Sequence, residues 1–172
     1  MKVKSLNIYN FNEFFHINSI FLSQMYDKWI QHENDYNEGV LSYDEWIKKM
    51  EGIFYNRTLL YVHVSDNILL GYCILYEEPK YNNIYVKFLY IGNKHKFSCI
   101  KSMIEQSFVF INNSSFDEIC CSTHINNNKM LSILKKLNFN LKQEKENLLY
   151  YTINKNKLFE NIIIKRLMSK NE

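Results

Sequence analysis

Proline occurs once in this chain, at Pro79, and glycine four times, which excludes a collagen-like or Gly/Pro-rich disordered polymer. No uncharged apolar run approaches the roughly 20 residues that a helix needs to cross a bilayer, so no membrane span is expected. The first fifteen residues carry lysines but no continuous apolar segment and no small-residue cleavage site, unlike a secretory leader. Arginine is confined to Arg57 and Arg166, too few for a reader of bases or phosphates built on bidentate guanidinium forks. The four cysteines, Cys73, Cys99, Cys120 and Cys121, form no C-x-x-C pair, so neither a zinc ribbon nor a dithiol redox motif is indicated, and no metal is expected. They read as reduced thiols, and a cytoplasmic location is the default expectation. Charge of one sign is also scarce: 21 basic against 18 acidic side chains leave a formal +3. A nucleic-acid partner would need a clustered basic face, and none is expected.

What is present suits one domain. A chain of 172 residues, 47% of them hydrophobic, can bury roughly 70% of its unfolded surface without disulfides or metals. Residues 3–8 alternate as a strand does. From Asn10 to about Gln31, Phe11, Phe14, Phe15, Ile17, Ile20, Phe21, Met25 and Trp29 recur at helical spacing, with Asn10 or Asn12 as N-cap. A second helix is expected from Ser42 to Glu51, opened by a Ser42/Glu45 capping box. Thr58 to Val64 and Ile68 to Glu77 read as a hairpin across Asp66-Asn67, stopped by Pro79, which has no amide to donate. Ile84 to Ile91 reads as a strand, His95 to about Ile111 as a helix, Phe116 to Ser122 as a strand and Asn127 to Leu137 as a helix. Strands over 140–145 and 148–153 follow, then a short amphipathic tail helix over 157–170. The order is β-α-α-β-β-β-α-β-α-β-β. A strand–helix–strand crossover makes the strands at 84–91 and 116–122 parallel, in a sheet otherwise joined by hairpins. The expected class is α/β, one mixed, mostly antiparallel sheet flanked by helices.

This order resembles the GCN5-related N-acetyltransferase (GNAT) fold, best over Thr58 to Thr152. The most specific stretch is Asn127-x-x-Met130-x-x-x-Leu134-x-Lys136-Leu137-Asn138-Phe139, where the family commonly has N-x-x-A-x-x-x-Y-x-K-x-G-F. Asn138 stands where glycine is usual; a helix end favours a residue that tolerates the left-handed conformation, and Asn is second to Gly. Gly71 within Leu69–Ile74 also resembles the family's second hairpin strand. Leu89-Tyr90-Ile91-Gly92 leads into a segment similar to the family's R/Q-x-x-G-x-G/A loop, with Lys96, Cys99 and Lys101 at the motif positions and both glycines gone. Helix N-terminal amides and the positive dipole end favour an anion, and Lys94, His95, Lys96 and Lys101 make this the best local anion site.

The resemblance implies acetyl-CoA as co-substrate, direct transfer of acetyl to a primary amine, and three parts of the single domain. These are an acceptor-side strand and helices over 1–57, a cofactor-binding core over 58–154 and a C-terminal helix or tail over 155–172. It implies cofactor contacts from Leu89, Tyr90 and Ile91 to the thioester arm, from Lys96, Phe97, Ser98, Cys99, Ile100 and Lys101 to the pyrophosphate, and from Asn127 and Met130. Asn127 equally reads as a helix cap. The glutamate that often serves as general base falls at Tyr85, with Lys87 two residues on. An ordinary phenol, with a pKa near 10, is a poor base, and a neighbouring ammonium would lower that value. Glu77, Glu78 and His124 are further catalytic candidates. The family's tyrosine acid falls at Leu134. The acceptor is a small-molecule or peptide amine, and a homodimer is open, since dimers are common in the family. Two alternatives stand beside this reading: a protein of this fold that binds a CoA ester, or a protein partner through Leu158–Met168, without transfer, and a transferase of longer acyl groups, which cleft width would discriminate.

Overall fold

In the computed structural model, which describes residues 3–17, 19–36, 39–92 and 96–169, a seven-stranded sheet separates two layers of helices. The elements are β1 (Val3–Ile8), α1 (Phe11–Phe15), α2 (Ser19–Asp35), α3 (Tyr43–Phe54), β2 (Thr58–Ser65), β3 (Ile68–Glu78), β4 (Asn83–Ile91), α4 (Lys96–Asn112), β5 (Glu118–His124), α5 (Asn128–Lys136), β6 (Asn140–Lys145), β7 (Leu148–Asn154), α6 (Lys155–Glu160) and α7 (Ile162–Ser169). The strand order is β1-β2-β3-β4-β5-β7-β6. Among the described residues only β4 and β5 run parallel, as the crossover through α4 requires.

Local chemistry explains the elements. Asp66 and Asn67 both take positive φ, 47° and 65°, which is the two-residue turn whose twist matches a hairpin. Ser42 caps α3, and Glu45 returns the bond to the Ser42 amide at 2.8 Å, so the capping box forms and the helix runs on to Phe54. Asn138 is left-handed at the end of α5, with φ 63°. All eight residues of β2 are buried, because each sheet face has its own core. On one face Leu60, Val62 and Ile74 pack against Phe14, Trp29 and Trp46 of α1–α3. On the other, Leu59, Leu75, Ile84 and Ile119 pack against Met103 and Phe110 of α4 and Ile164 of α7.

Three boundaries differ from expectation. The long N-terminal helix is two helices, because the backbone closes on itself after Phe14: the Ile17 amide bonds the Phe14 carbonyl, and Phe14 turns onto Trp46 and Phe54 of α3. The tail helix is also two. Asn161 leaves helical geometry (ψ 128°), its side chain donating to the Lys136 carbonyl and accepting from the Ile163 amide. The fifth strand is Glu118–His124, two residues later than expected, so His124 ends the strand rather than following it.

Gly71 lets α4 approach the sheet. A Cβ there would lie 2.5 Å from Cys99 Sγ and 2.9 Å from the Tyr90 carbonyl oxygen. Cys99 is fully buried, its thiol donating to the Leu70 carbonyl at 3.9 Å. The small residue that close approach demands therefore sits on β3 as well as on the helix. Gly71→Ala is expected to destabilise the protein by about 1–3 kcal/mol. Adding Cys99→Ala should recover only part of that in urea denaturation, because the backbone carbonyl contact remains; full recovery would place the whole conflict on the sulfur.

Candidate active site

The site is built by two strands that part. β4 and β5 pair from Asn83–Glu118 to Val86–Cys121 and no further, although β4 runs on to Ile91 and β5 to His124. A bulge marks the same place: Leu75 pairs with Val86 and Ile74 with residue 88, which leaves Lys87 opposite no residue of β3. Bulges bend a strand and raise its twist, which turns the end of β4 away from β5.

A cavity of about 370 Å³ lies on the α4 face of this opening. Its walls come from the end of β4 (Leu89, Ile91), one stripe of α4 (Ile100, Met103, Ile104, Ser107, Phe108, Ile111), α5 and its C-cap (Met130, Ile133, Leu134, Leu137) and the C-terminal helices (Leu158, Ile164). The α4 residues recur every three or four positions, so one helix face supplies them all. Lys87, Ser107 and Ser122 are its main polar wall residues, and no carboxylate is among the described residues that line it.

At the point of parting, Tyr85 Oη donates to Ser122 Oγ at 2.6 Å, a side-chain bridge across the two strands one step beyond their last backbone pair. Tyr85 faces the α1–α3 side and packs its ring on Tyr76, centroids 5.6 Å apart. Burial pushes the phenol up to about 12, and the Ser122 hydrogen bond opposes that only in part. The Lys87 ammonium lies 5.8 Å from the Tyr85 ring. Desolvation decides the sign, so the expected lowering by Lys87 does not occur. At that value Tyr85 holds its proton near neutral pH.

The other candidates are placed as follows. Glu77 is engaged by Arg57 at 2.5 Å, whose guanidinium lies over the Phe110 ring at 4.3 Å, and it does not line the cavity. Glu78 is half-buried at the end of β3, two residues after Tyr76 and so on the face of the sheet that Tyr76 and Tyr85 share. His124 is buried and stacked on Tyr36 at 4.8 Å, with Nδ1 accepting from the Asn126 amide at 3.2 Å. Leu134, at the expected acid position, is a buried wall residue.

Of the cofactor candidates, Leu89, Ile91, Ile100 and Met130 line the cavity. Tyr90 points to the other face, against Tyr72 at 6.0 Å and beneath the Lys28 ammonium at 5.5 Å. Ser98 is exposed. Burial raises the Cys99 thiol to about 11, so no thiolate nucleophile stands at this helix start. Lys101 is largely covered and reaches along α4 to Glu105 at 3.8 Å, one turn away from the helix start. Lys94 and His95 lie outside the described residues, as do the side chains of Lys96 and Phe97, although α4 begins at Lys96. Asn127 caps α5, accepting from the Met130 amide at 3.1 Å. Sequence reasoning passed over Ser122, whose importance rests on where two strands cease to pair. The only available signal was a hydroxyl between Cys121 and Thr123 at a strand end.

Among the described residues, no group of three or more His, Cys, Asp or Glu side chains is placed to hold a metal, and no helix is long and apolar enough to cross a membrane.

No family model matches the chain, and no curated protein does. Solved structures do match. The PaiA N-acetyltransferase of Thermoplasma acidophilum, in complex with coenzyme A, shares 14% identity at a TM-score of 0.62, over 90% of this chain and 99% of its own. A GNAT-family acetyltransferase of Staphylococcus aureus Mu50 shares 12% at 0.65, over 88% and 99%. An acetyltransferase of Streptococcus agalactiae 2603 shares 13% at 0.65, over 88% and 98%. At such identities the likeness concerns the fold: the chain has the GNAT fold, a mostly antiparallel mixed sheet flanked by helices, as its element order implied.

Proposed function

We propose that the protein transfers an acetyl group from acetyl-CoA to a primary amine by direct attack. The observation that carries this reading is the opening between β4 and β5, with an apolar cavity on one side and the Tyr85–Ser122 pair at its closed end. Neighbours of the same fold are acetyltransferases, one of them with coenzyme A bound, which supports the same chemistry here.

In this reading the pantetheine arm lies in the opening. Beyond Val86 the edge of β4 that faces β5 is released from pairing, and backbone groups so released can bond an extended ligand as a further strand would. The start of α4 would hold the pyrophosphate, because the N-terminal end of a helix favours an anion. The acceptor approaches from the α1–α3 side. Its nitrogen forms a bond to the thioester carbonyl carbon, the C–S bond breaks, and the amine proton is lost. Ser122 would face the leaving sulfur and give it a proton, restored through Tyr85, which donates to Ser122, and from solvent. Glu78, on the acceptor side, takes the amine proton through water. The protein acts as a single unit in which residues 1–57 form the acceptor side and 58–154 the cofactor core.

Calorimetric titration of acetyl-CoA into the folded protein tests the reading. Micromolar binding is expected, followed by thiol release when a panel of primary amines is added. Absence of binding by the folded protein would overturn it and return the search to a protein partner.

A further inference from the structure

We infer that the preferred donor carries an acyl chain longer than acetyl, housed in the inner half of the cavity. The inference rests on the transfer reading above and deepens it. The opening between the strands begins at Lys87 and Ser122, so a thioester arm lying in it ends there. The cavity does not. It continues past the last separated residues, over Leu75, Val86 and Ile119, where β3, β4 and β5 are paired, and is also walled by Leu158 and Ile164 of the C-terminal helices. Its α4 wall runs from Ile100 to Ile111, about 16 Å at 1.5 Å per residue.

The size points the same way. The opening and the inner half together hold about 370 Å³; an apolar cavity of about 150 Å³ already accepts benzene, so half of this space is on the scale of a short acyl chain.

The chemistry of the inner wall selects that occupant. Leu75, Val86, Ile111, Ile119, Leu158 and Ile164 offer no hydrogen-bonding side chains. Nearby, the Ser107 hydroxyl and Cys73 thiol lie 3.7 Å apart, engaged with each other. An amide or a phosphate placed there would lose its water without replacement. A saturated chain loses nothing and gains apolar burial. The transfer step is unchanged: C–N forms, C–S breaks, the amine gives its one proton through water to Glu78, and the leaving sulfur takes one through Ser122 and Tyr85 from solvent.

The test titrates CoA and its acetyl, butanoyl, hexanoyl and octanoyl thioesters into the intact protein. Each added methylene that enters the cavity should tighten binding about fourfold, the equivalent of about 0.8 kcal/mol, until the chain meets Ile164. Ile164→Phe should then lower the octanoyl-to-acetyl affinity ratio at least tenfold. If that variant does not fold, Leu167→Trp, at a half-exposed wall position on the same helix, makes the same test. Equal or falling affinity from acetyl to octanoyl, with acetyl-CoA still bound, would overturn the inference and leave the transfer reading standing. An unchanged ratio in the filled variant would overturn it too. Failure of every thioester to bind would overturn both.

Discussion

Met130→Trp is expected to weaken acetyl-CoA binding at least 100-fold while the protein stays folded. Met130 stands in the first turn of α5, lines the cavity and is only half-buried, so an indole has room to turn without forcing the core apart. Its backbone role is independent of its side chain, because the amide bonds the Asn127 cap in either residue. A hundredfold loss is about 2.7 kcal/mol. That is what excluding roughly 100 Å² of apolar ligand surface from the cavity produces at 25 cal/mol per Å². Calorimetry reports the affinity and thermal unfolding reports the fold. Loss of binding with a melting temperature within a few degrees of the parent places the arm in the opening. Unchanged affinity would mean that the coenzyme, if it binds at all, takes another route.

The legible parts of this fold were those governed by near neighbours in the chain. The Asp66-Asn67 turn, the Ser42/Glu45 box and the left-handed Asn138 each depend on two to four residues and appear as expected. The crossover through α4 made β4 and β5 parallel by rule, and the element order sufficed for the fold. The two unexpected helix breaks fall inside continuous apolar spacing, where Phe14, Ile17 and Ile20, or Leu158, Phe159 and Ile162, read as one stripe. Tertiary contacts of Phe14 and the side-chain bonds of Asn161 decide them. The bulge at Lys87 leaves no mark in composition. Pairing of Glu77 with Arg57 joins residues twenty positions apart, and it engages a carboxylate that the sequence alone left unpaired. Most of all, burial reverses the direction expected for Tyr85. Side-chain identity announces a phenol beside a lysine; only the packing of Tyr76 and the sheet around it shows that desolvation outweighs the ammonium.

That reversal has a kinetic signature. Tyr85→Phe should lower kcat about 10- to 100-fold, at the low end of what a positioned acid contributes, because a thiolate with a pKa near 8.5 is already a fair leaving group. Loss of the bridge itself costs only about 1 kcal/mol of stability, so the variant should fold and bind donor much as the parent does. Ser122→Ala should cost a similar factor, and the double variant little more than either single one, since both remove the same proton path. The pH dependence separates donor from base. A phenol acting as base from its ordinary value gives a rate that climbs toward pH 10. A phenol raised to about 12 stays protonated throughout that range, so its contribution is constant from pH 7 to 10 and is lost only as pH rises toward 12. A tenfold rise per pH unit between 8 and 10 that vanishes in Tyr85→Phe would make Tyr85 a base after all, and additive losses in the double variant would break the link between the two hydroxyls. A flat profile, with non-additive losses confined to kcat, assigns to the point where β4 and β5 part the task of delivering a proton to sulfur.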